Sequence, residues 1–523
     1  LSEFVFWKPI MQIYPIHTSF TAGESFELAV QPKRRFGVAI YQQGGDELLL
    51  FCSGVVVEGQ NNVKASLVDG HTIFESAGSN DAVPFDHDWN WPTIRIRPDV
   101  PAHEALSSGA YVAVAYEVTA AGKPRDETGR RCLGRKPVSG APPASDSMAL
   151  VVARPRIPTA PVAYIVPVAT YHAYNSIGGG CYYNDPIHRR PAAMQVSLRR
   201  PGGGLGAQLG EPVDPYDSAS PRQQFSHWDA KFIRWLRAEG IACDFYTDLD
   251  LHEGSALDLT KYRCMLSVGH HEYWSHEMRE HVARFVEQGG NLAVFSGNTC
   301  YRPVKFTCDA AGNPIGMRKL AGDWDLLTEK PNNDLRACGN ERHLIGLSYT
   351  YGGGHYGRWK RWRGGWINRK REAVGFTVTQ PEHWVFTDTG LKKGETFGAD
   401  DRLVGYEVDG LPADEPHNGF ETLATTRQLI GWQMGGIGAF GMFRPKNPAG
   451  TLSEGQVFNC GTTDWARVLL DTQAKSNLVV QRITRNVVRR FIGLSFDGAS
   501  HQDNRSAPRE ATETPAVDDT AAI

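Results

Sequence analysis

Nine cysteines in 523 residues, an odd number with no C-x-x-C among them, leave neither a disulfide framework nor a cysteine-built zinc site to organise this chain. Several stand beside or inside apolar runs (Cys52, Cys243, Cys264), as reduced thiols of a cytoplasmic protein do, while Cys300 and Cys308 are spaced to pair across a turn. Net charge is equally scarce. With 55 basic against 58 acidic side chains the balance is -3, so no broad field draws in nucleic acid or an anionic membrane. No run reaches the roughly 18 apolar residues of a membrane span. The N-terminus lacks the basic-then-apolar order of a secretory signal, and its start at Leu1 without a Met points to a fragment.

Helical periodicity is missing from the first 150 or so residues. Phe26–Val30, Phe36–Tyr41, Leu48–Phe51, Thr93–Arg97, Tyr111–Tyr116 and Leu150–Val152 are short apolar or alternating runs punctuated by Gly, Asn, Asp and Pro, the pattern of an antiparallel, Ig-like β-sandwich over 1–155. The Pro-rich joint Arg154–Pro161 ends it. From there an α/β domain is expected over 156–305 and 430–495, with a β-rich insertion over 306–429 and a disordered tail over 496–523.

The α/β reading rests on Arg263–Tyr301. Cys264–Val268 is an apolar run ended by Gly269. Ser275 caps a helix whose Met278, Val282, Phe285 and Val286 share one face, Gly289-Gly290 stop it, and Asn291–Ser296 is a second apolar run. A β-α-β unit implies parallel strands, and ligands of such sheets sit beyond the carboxyl ends. His270, His271, Glu272 and Tyr273 follow the first strand there, and Asn298, Cys300 and Tyr301 the second. The run Val162–Val168 places Tyr171, His172, Tyr174, Asn175 and the glycine loop with Cys181, Tyr182 and Tyr183 on the same edge.

This inventory supports several chemistries. Cys181 or Cys300 with His172, His270 or His271 makes a thiolate pair, against the plainer reading of packed thiols in turns. His271 and His276 are five apart, which points them to different helix faces and argues against the zinc-protease arrangement. Gly202–Gly206 lacks the strand before it and the Lys-Ser/Thr after it that a phosphate cradle needs. A phenol is ordinarily a neutral hydrogen-bonder, but a ferric ion is hard enough to hold it as phenolate beside a carboxylate and then serves as a Lewis acid. The non-enzymatic alternative is a carbohydrate-facing binding protein with Trp359, Trp362 and Trp366 as an aromatic platform, against the plainer reading of core in the inserted sheet.

Gly269–Ser275, the following Gly289–Asn298, the earlier Tyr171–Asn175 with its glycines, and Asn459–Trp465 together resemble the large (beta) subunit of N,N-dimethylformamidase and its relatives, over most of Ile10 to Gly493. The resemblance implies a glutamine-amidotransferase-like, flavodoxin-like doubly wound domain and hydrolysis of a small amide C–N bond at a mononuclear non-haem iron (Fe3+) held by two Tyr and one Glu. Tyr273 matches one ligand, with His271 where the family has Pro. The second Tyr falls in Gly240–Asp248, where Cys243 takes the aligned place and Tyr246 stands three residues on; the Glu comes from downstream, Glu329 or Glu341. Around these the expected roles are His270 or His271 as proton carrier, Glu272 and Cys181 in support, Asn298 orienting the carbonyl, and Tyr171, Tyr174 and Asn175 against the substrate. A small partner subunit and a homo-oligomer are implied as well, with no nucleic acid and no membrane as partner.

Overall fold

The computed structural model describes residues 11–494 apart from 45–48, 52–54, 60–61, 69–70, 79–86, 99–105, 134–146, 176–179, 184–190, 207–212, 215–216, 222–223, 321–340, 354–358, 363–364, 369–373, 413–418, 430–435 and 448. The tail expected over 496–523, Glu329 and Cys52 lie outside the described residues, as do the side chains of Trp359, Trp362 and Trp366.

Two sheets make the N-terminal sandwich. One carries Ile13–Pro15, Phe26–Val30, Thr93–Pro98 and Val55–Gly59 in spatial order, all antiparallel. The other runs Ser19–Thr21, Met148–Arg154, Gly109–Glu117, Arg35–Gln42, His71–Ser76 and Val63–Val68, with Leu49–Phe51 against Arg35–Gln42. The wholly antiparallel expectation is corrected at one pair, because Met148–Arg154 runs parallel to Ser19–Thr21. These partners are far apart in sequence, so no hairpin dictates their direction.

Strand alternation gives the second sheet two interiors. Tyr111, Ala113 and Ala115 face Phe26, Leu28, Ile94 and Ile96 inside the sandwich. Val112, Val114 and Tyr116 join the main core instead, with Val162–Val166 and Trp235. A strand covered on both sides shows no polar alternation, which is why Tyr111–Tyr116 reads as a nearly continuous apolar run. Asp250 ties the joint. One carboxylate oxygen accepts from Ser19 at 2.6 Å and Arg154 at 2.8 Å; the other accepts from Thr247 N at 2.7 Å, half of a capping box that starts helix Asp248–Glu253.

Past the joint, five parallel strands lie in the order Cys243–Thr247, Val162–Val166, Cys264–His270, Asn291–Gly297 and Val457–Asn459. By chain appearance this is 2-1-3-4-5, with its switch point between Val162–Val166 and Cys264–His270. Two helix groups flank the sheet: Asp229–Ala238 with Trp465–Leu470 and Asn477–Phe491, and Val168–Tyr174 with Asp248–Glu253 and His276–Glu287. Beyond Val457–Asn459 the sheet continues antiparallel through Ile437–Phe443, Phe420–Gln428, Phe376–Val378 and Thr396–Phe397, so strands from within 306–429 extend the central sheet. Val408–Leu411 pairs with Ile437–Phe443 on a side branch.

Helix His276–Glu287 buries Met278, Val282, Phe285 and Val286 under a Ser275 cap, as the periodicity requires. Other local readings are corrected. Tyr171–Tyr174 is not loop but the end of a short helix, Val168–Tyr174, because the Asp248 carboxylate accepts from Ala169 N at 2.9 Å at its start. Helix Asp229–Ala238 begins without a side-chain cap. In Asn477–Phe491 the buried stripe is Val480, Ile483, Val487 and Phe491, while Leu478 is 77% exposed. Cys300 and Cys308 are both free thiols, one buried and one exposed. Among the described residues no helix is long and apolar enough to cross a membrane.

Candidate active site

The switch point gathers polar side chains that the sequence scatters. Strand Cys264–His270 delivers His270, and the next residues turn under the helix Val168–Tyr174, where the Thr170 hydroxyl oxygen accepts from Glu272 N at 3.0 Å and Tyr273 N at 3.2 Å. Gly269, at φ +69°, has to be glycine: a Cβ would stand 2.3 Å from Cβ of Trp228. Gly297 allows a second close approach, since its Cβ would meet the Glu407 carbonyl oxygen at 2.6 Å. That contact brings the 405–409 segment against Asn298.

Three oxygens converge first. Tyr174 donates to Glu272 Oε2 at 2.7 Å, Tyr183 donates to Tyr174 at 2.7 Å, and Tyr183 lies 3.4 Å from both Glu272 oxygens. The Tyr273 hydroxyl adjoins Tyr183 at 2.6 Å. Burial, with the Glu272 charge close by, pushes the phenols of Tyr174, Tyr183 and Tyr273 well above the ordinary value. Glu272 is itself raised, by burial first, with His270 and Arg302 (3.7 Å away) working against the rise. Three protonated hydroxyls crowd one carboxylate.

A second group adjoins the first. His270 Nε2 stands 2.6 Å from Glu407 Oε2 and 3.3 Å from Glu272 Oε2. Burial alone would lower its pKa, but Glu407, Glu272 and Asp409 outweigh that and raise it. Asn298 Nδ2 donates to Glu407 Oε2 at 3.1 Å, while its backbone N donates to Asp409 Oδ1 at 2.7 Å. All these side chains are at least nine-tenths buried except Arg302 and Tyr183, which are partly exposed, as is Tyr406, whose ring lies 6.5 Å from that of His270.

His270, Glu272, Asn298, Tyr174 and Tyr273 are thus brought together. The other expected residues are engaged elsewhere. His271 Nδ1 bonds Ser267 Oγ at 3.0 Å. Tyr171, nearly one turn before Tyr174, donates instead to Asp229, which also accepts from Tyr164 at 2.7 Å. Asn175 donates to Pro201 O at 2.8 Å, and Cys181 Sγ turns to Tyr183 O at 3.6 Å. Neither ring nitrogen of His172 has a partner, so among the described residues it forms no thiol–imidazole pair. The Tyr246 hydroxyl meets Tyr262 at 2.7 Å. Glu341 is fully buried with no well-formed hydrogen bond, although the Ser348 hydroxyl favours its charged form; burial, then Asp409, raises it.

Glu407 and Asp409 carried no local signal in the sequence, since they precede or begin a short strand in a turn-rich region. Tyr183 was visible only as part of the glycine loop. Among the described residues no three or more His, Cys, Asp and Glu side chains are grouped to hold a metal, so what the group around Glu272 offers is a phenol-rich set with one carboxylate. Two other clefts, of about 550 and 240 Å³, lie apart, one beside Arg263, Asn291 and Phe491, the other beside Gln42, Arg237 and Cys243.

No curated protein matches the chain. Among solved structures, that of the "mmIFT52 N-terminal domain" is 10% identical over 51% of this chain and 91% of that one, with a TM-score of 0.27, too low for any functional argument. Residues 60–477 match the family described as "N,N-dimethylformamidase beta subunit-like, C-terminal", a family named for one subunit of an amide-cleaving enzyme, and the chain belongs to that family.

Proposed function

We propose that this chain hydrolyses the C–N bond of a small amide, with a ferric ion held by Tyr174, Tyr183 and Glu272. The observation that carries the reading is the convergence of those three oxygens at 2.7 to 3.4 Å, directly beside the His270–Glu407 pair. Oxygen ligands about 2 Å from a hard ion lie roughly 3 Å from one another in octahedral geometry, so the spacing suits such a set. Donor chemistry agrees. Without a cation the buried phenols keep their protons; a trivalent ion replaces them with its own charge. Two Tyr and one Glu is also the ligand set that the family resemblance implies, with Tyr273 now placed to hold Tyr183 through its hydroxyl.

When bound, the ion acts as a Lewis acid toward the amide carbonyl. The remaining work falls to the side chains. Glu407, fixed by Asn298 Nδ2, takes a proton from the attacking water, and His270 gives one to the departing nitrogen as the C–N bond breaks. Burial of the whole cluster excludes bulk water and strengthens each of these contacts. The 2-1-3-4-5 sheet supports an amidotransferase-like domain, the family's designation as a β subunit supports a small partner chain and an oligomer, and the free thiols support a cytoplasmic setting.

The test is metal analysis of the purified chain with its visible spectrum. Close to one iron per chain is expected, with a phenolate-to-iron absorption band that Tyr183→Phe and Tyr174→Phe each weaken or abolish and Tyr246→Phe leaves alone. A chain that takes up no iron, or a band indifferent to Tyr174 and Tyr183, ends the proposal.

A further inference from the structure

Glu272 is gripped at both ends by one short helix. Its backbone N–H and that of Tyr273 both reach the Thr170 hydroxyl oxygen, at 3.0 and 3.2 Å, while its carboxylate takes the Tyr174 phenol at 2.7 Å. Thr170 and Tyr174 are four residues apart in Val168–Tyr174, so they stand one turn apart on the same helix face and fix a ruler of about 6 Å between the two grips. The start of that helix is held in turn, because both oxygens of Asp248 accept from Ala169 N, at 2.9 and 3.2 Å. On the other side the turn is held by its carbonyls: Cys300 N donates to His271 O at 2.9 Å and Arg302 N to Glu272 O at 3.0 Å. Thr170, Glu272 and Tyr273 are all buried, so without the hydroxyl two N–H donors have no water to turn to, and the backbone at Glu272 and Tyr273 has to shift to find an acceptor. The Glu272 carboxylate shifts with it, and a binding constellation loses its fit at displacements of about 0.5 Å.

We propose that Thr170 is the positioning residue of this cluster: it sets the distance from the Glu272 carboxylate to the phenols of Tyr174 and Tyr183, and through that distance how tightly the cluster holds a hard trivalent ion. The choice of ion rests on the hydrolase reading above, whereas the spacing belongs to the chain with or without metal. Thr170 touches neither ion nor substrate in this role. It acts as the partners behind metal ligands generally do, by fixing the direction from which a ligand approaches, and removal of such a partner weakens metal binding by about 10- to 100-fold. The hydroxyl oxygen carries the effect and the methyl group does not, which separates positioning from packing.

The experiment measures iron affinity by competition with citrate, the phenolate-to-iron band and, in the metal-free chain labelled with 3-fluorotyrosine, the fluorine NMR signals of Tyr174 and Tyr183. Thr170→Val keeps the shape and removes the acceptor; Thr170→Ser keeps the acceptor and removes the methyl group. Thr484→Val is the control, a buried threonine in helix Asn477–Phe491 whose hydroxyl accepts from Trp465 Nε1 at 2.8 Å and has no part in the cluster. Thr170→Val is expected to weaken iron binding by about 10- to 100-fold, displace the band and move both fluorine signals, while Thr170→Ser and Thr484→Val stay within about twofold and leave the signals in place. Parental affinity in Thr170→Val, an equal loss in Thr170→Ser, or a loss of iron with the fluorine signals unmoved overturns the proposal. Should Thr170→Val fail to fold, Thr170→Cys replaces it, sulfur being a weak acceptor. If the parent takes up no iron but Thr170→Val alone moves the fluorine signals, positioning stands and the iron-dependent reading falls; if no iron binds and no signal moves, both fall.

Discussion

His270 and His271 are consecutive and equally buried, yet their surroundings differ in every respect that matters to chemistry. His270 turns to the crevice and meets Glu407 at 2.6 Å and Glu272 at 3.3 Å; burial opposes its charge, but the carboxylates prevail and its pKa rises. His271 bonds the Ser267 hydroxyl, and its other nitrogen, without a hydrogen-bond partner, is 3.8 Å from Asp248. Asp248 is already committed to Ala169 N at 2.9 Å, and burial drives its own pKa up, so it does little for the imidazole. Burial, then the neighbouring His270, takes His271 down to about 3. Successive side chains at a strand end face opposite ways, so one residue is placed to carry a proton and the next is fixed neutral in the core.

The sharpest way to break that contrast is Glu407→Gln. It removes the carboxylate that charges His270 while keeping its shape, and kcat for a small amide should fall by roughly 10²- to 10⁴-fold with iron content unchanged. An unchanged kcat would put His270 on the same footing as His271.

His271→Asn addresses the other side. Loss of packing and of the Ser267 partner should lower stability by about 2–4 kcal/mol in urea denaturation near neutral pH, with kcat of the folded fraction within a few-fold of the parent. The variant should also alter the acid response. Folded His271 stays neutral down to about 3, whereas an unfolded histidine takes a proton near 6.5; the parent therefore loses stability as pH falls through that window, by up to ~1.4 kcal/mol per pH unit. His270 has the opposite sign, its contribution being full below the unfolded value and lost as pH rises through its folded pKa. Stability measured from about pH 7 down to about pH 4 should fall less steeply in His271→Asn, and parallel slopes would show that His271 is not held neutral.

The smallest effect belongs to Tyr246→Phe. Among the described residues its hydroxyl meets the Tyr262 phenol alone, so about 1 kcal/mol of stability should be lost, with iron content and kcat unaltered. A loss of iron here would return Tyr246 to the metal set.

Much of this was legible in the chain. The helix face of Met278, Val282, Phe285 and Val286 and the two apolar runs around it lead directly to parallel strands, and the parallel strands lead to the crevice that holds His270, Glu272 and Asn298. Tyr171 and Tyr174 were readable as residues but not as directions. Taken as loop they stand equally near the site; on a helical turn begun by Asp248, one goes to Asp229 and the other to Glu272. Glu407 was beyond reach for another reason. It is 109 residues from Asn298, and their contact depends on a tertiary approach at Gly297 that no local period encodes.

The Gly109–Glu117 strand has no wet side, and this settles how the N-terminal region relates to the rest. Val112, Val114, Leu150 and Val152 belong to the same core as the sheet that bears the site, and Asp250 locks Ser19 and Arg154 against the start of its helix. The sandwich is accordingly a load shared by both halves and not a detachable appendage. The outer sheet closes only the sandwich's own interior, whereas the inner one cannot be removed without taking away the floor on which Val162–Val166 rests.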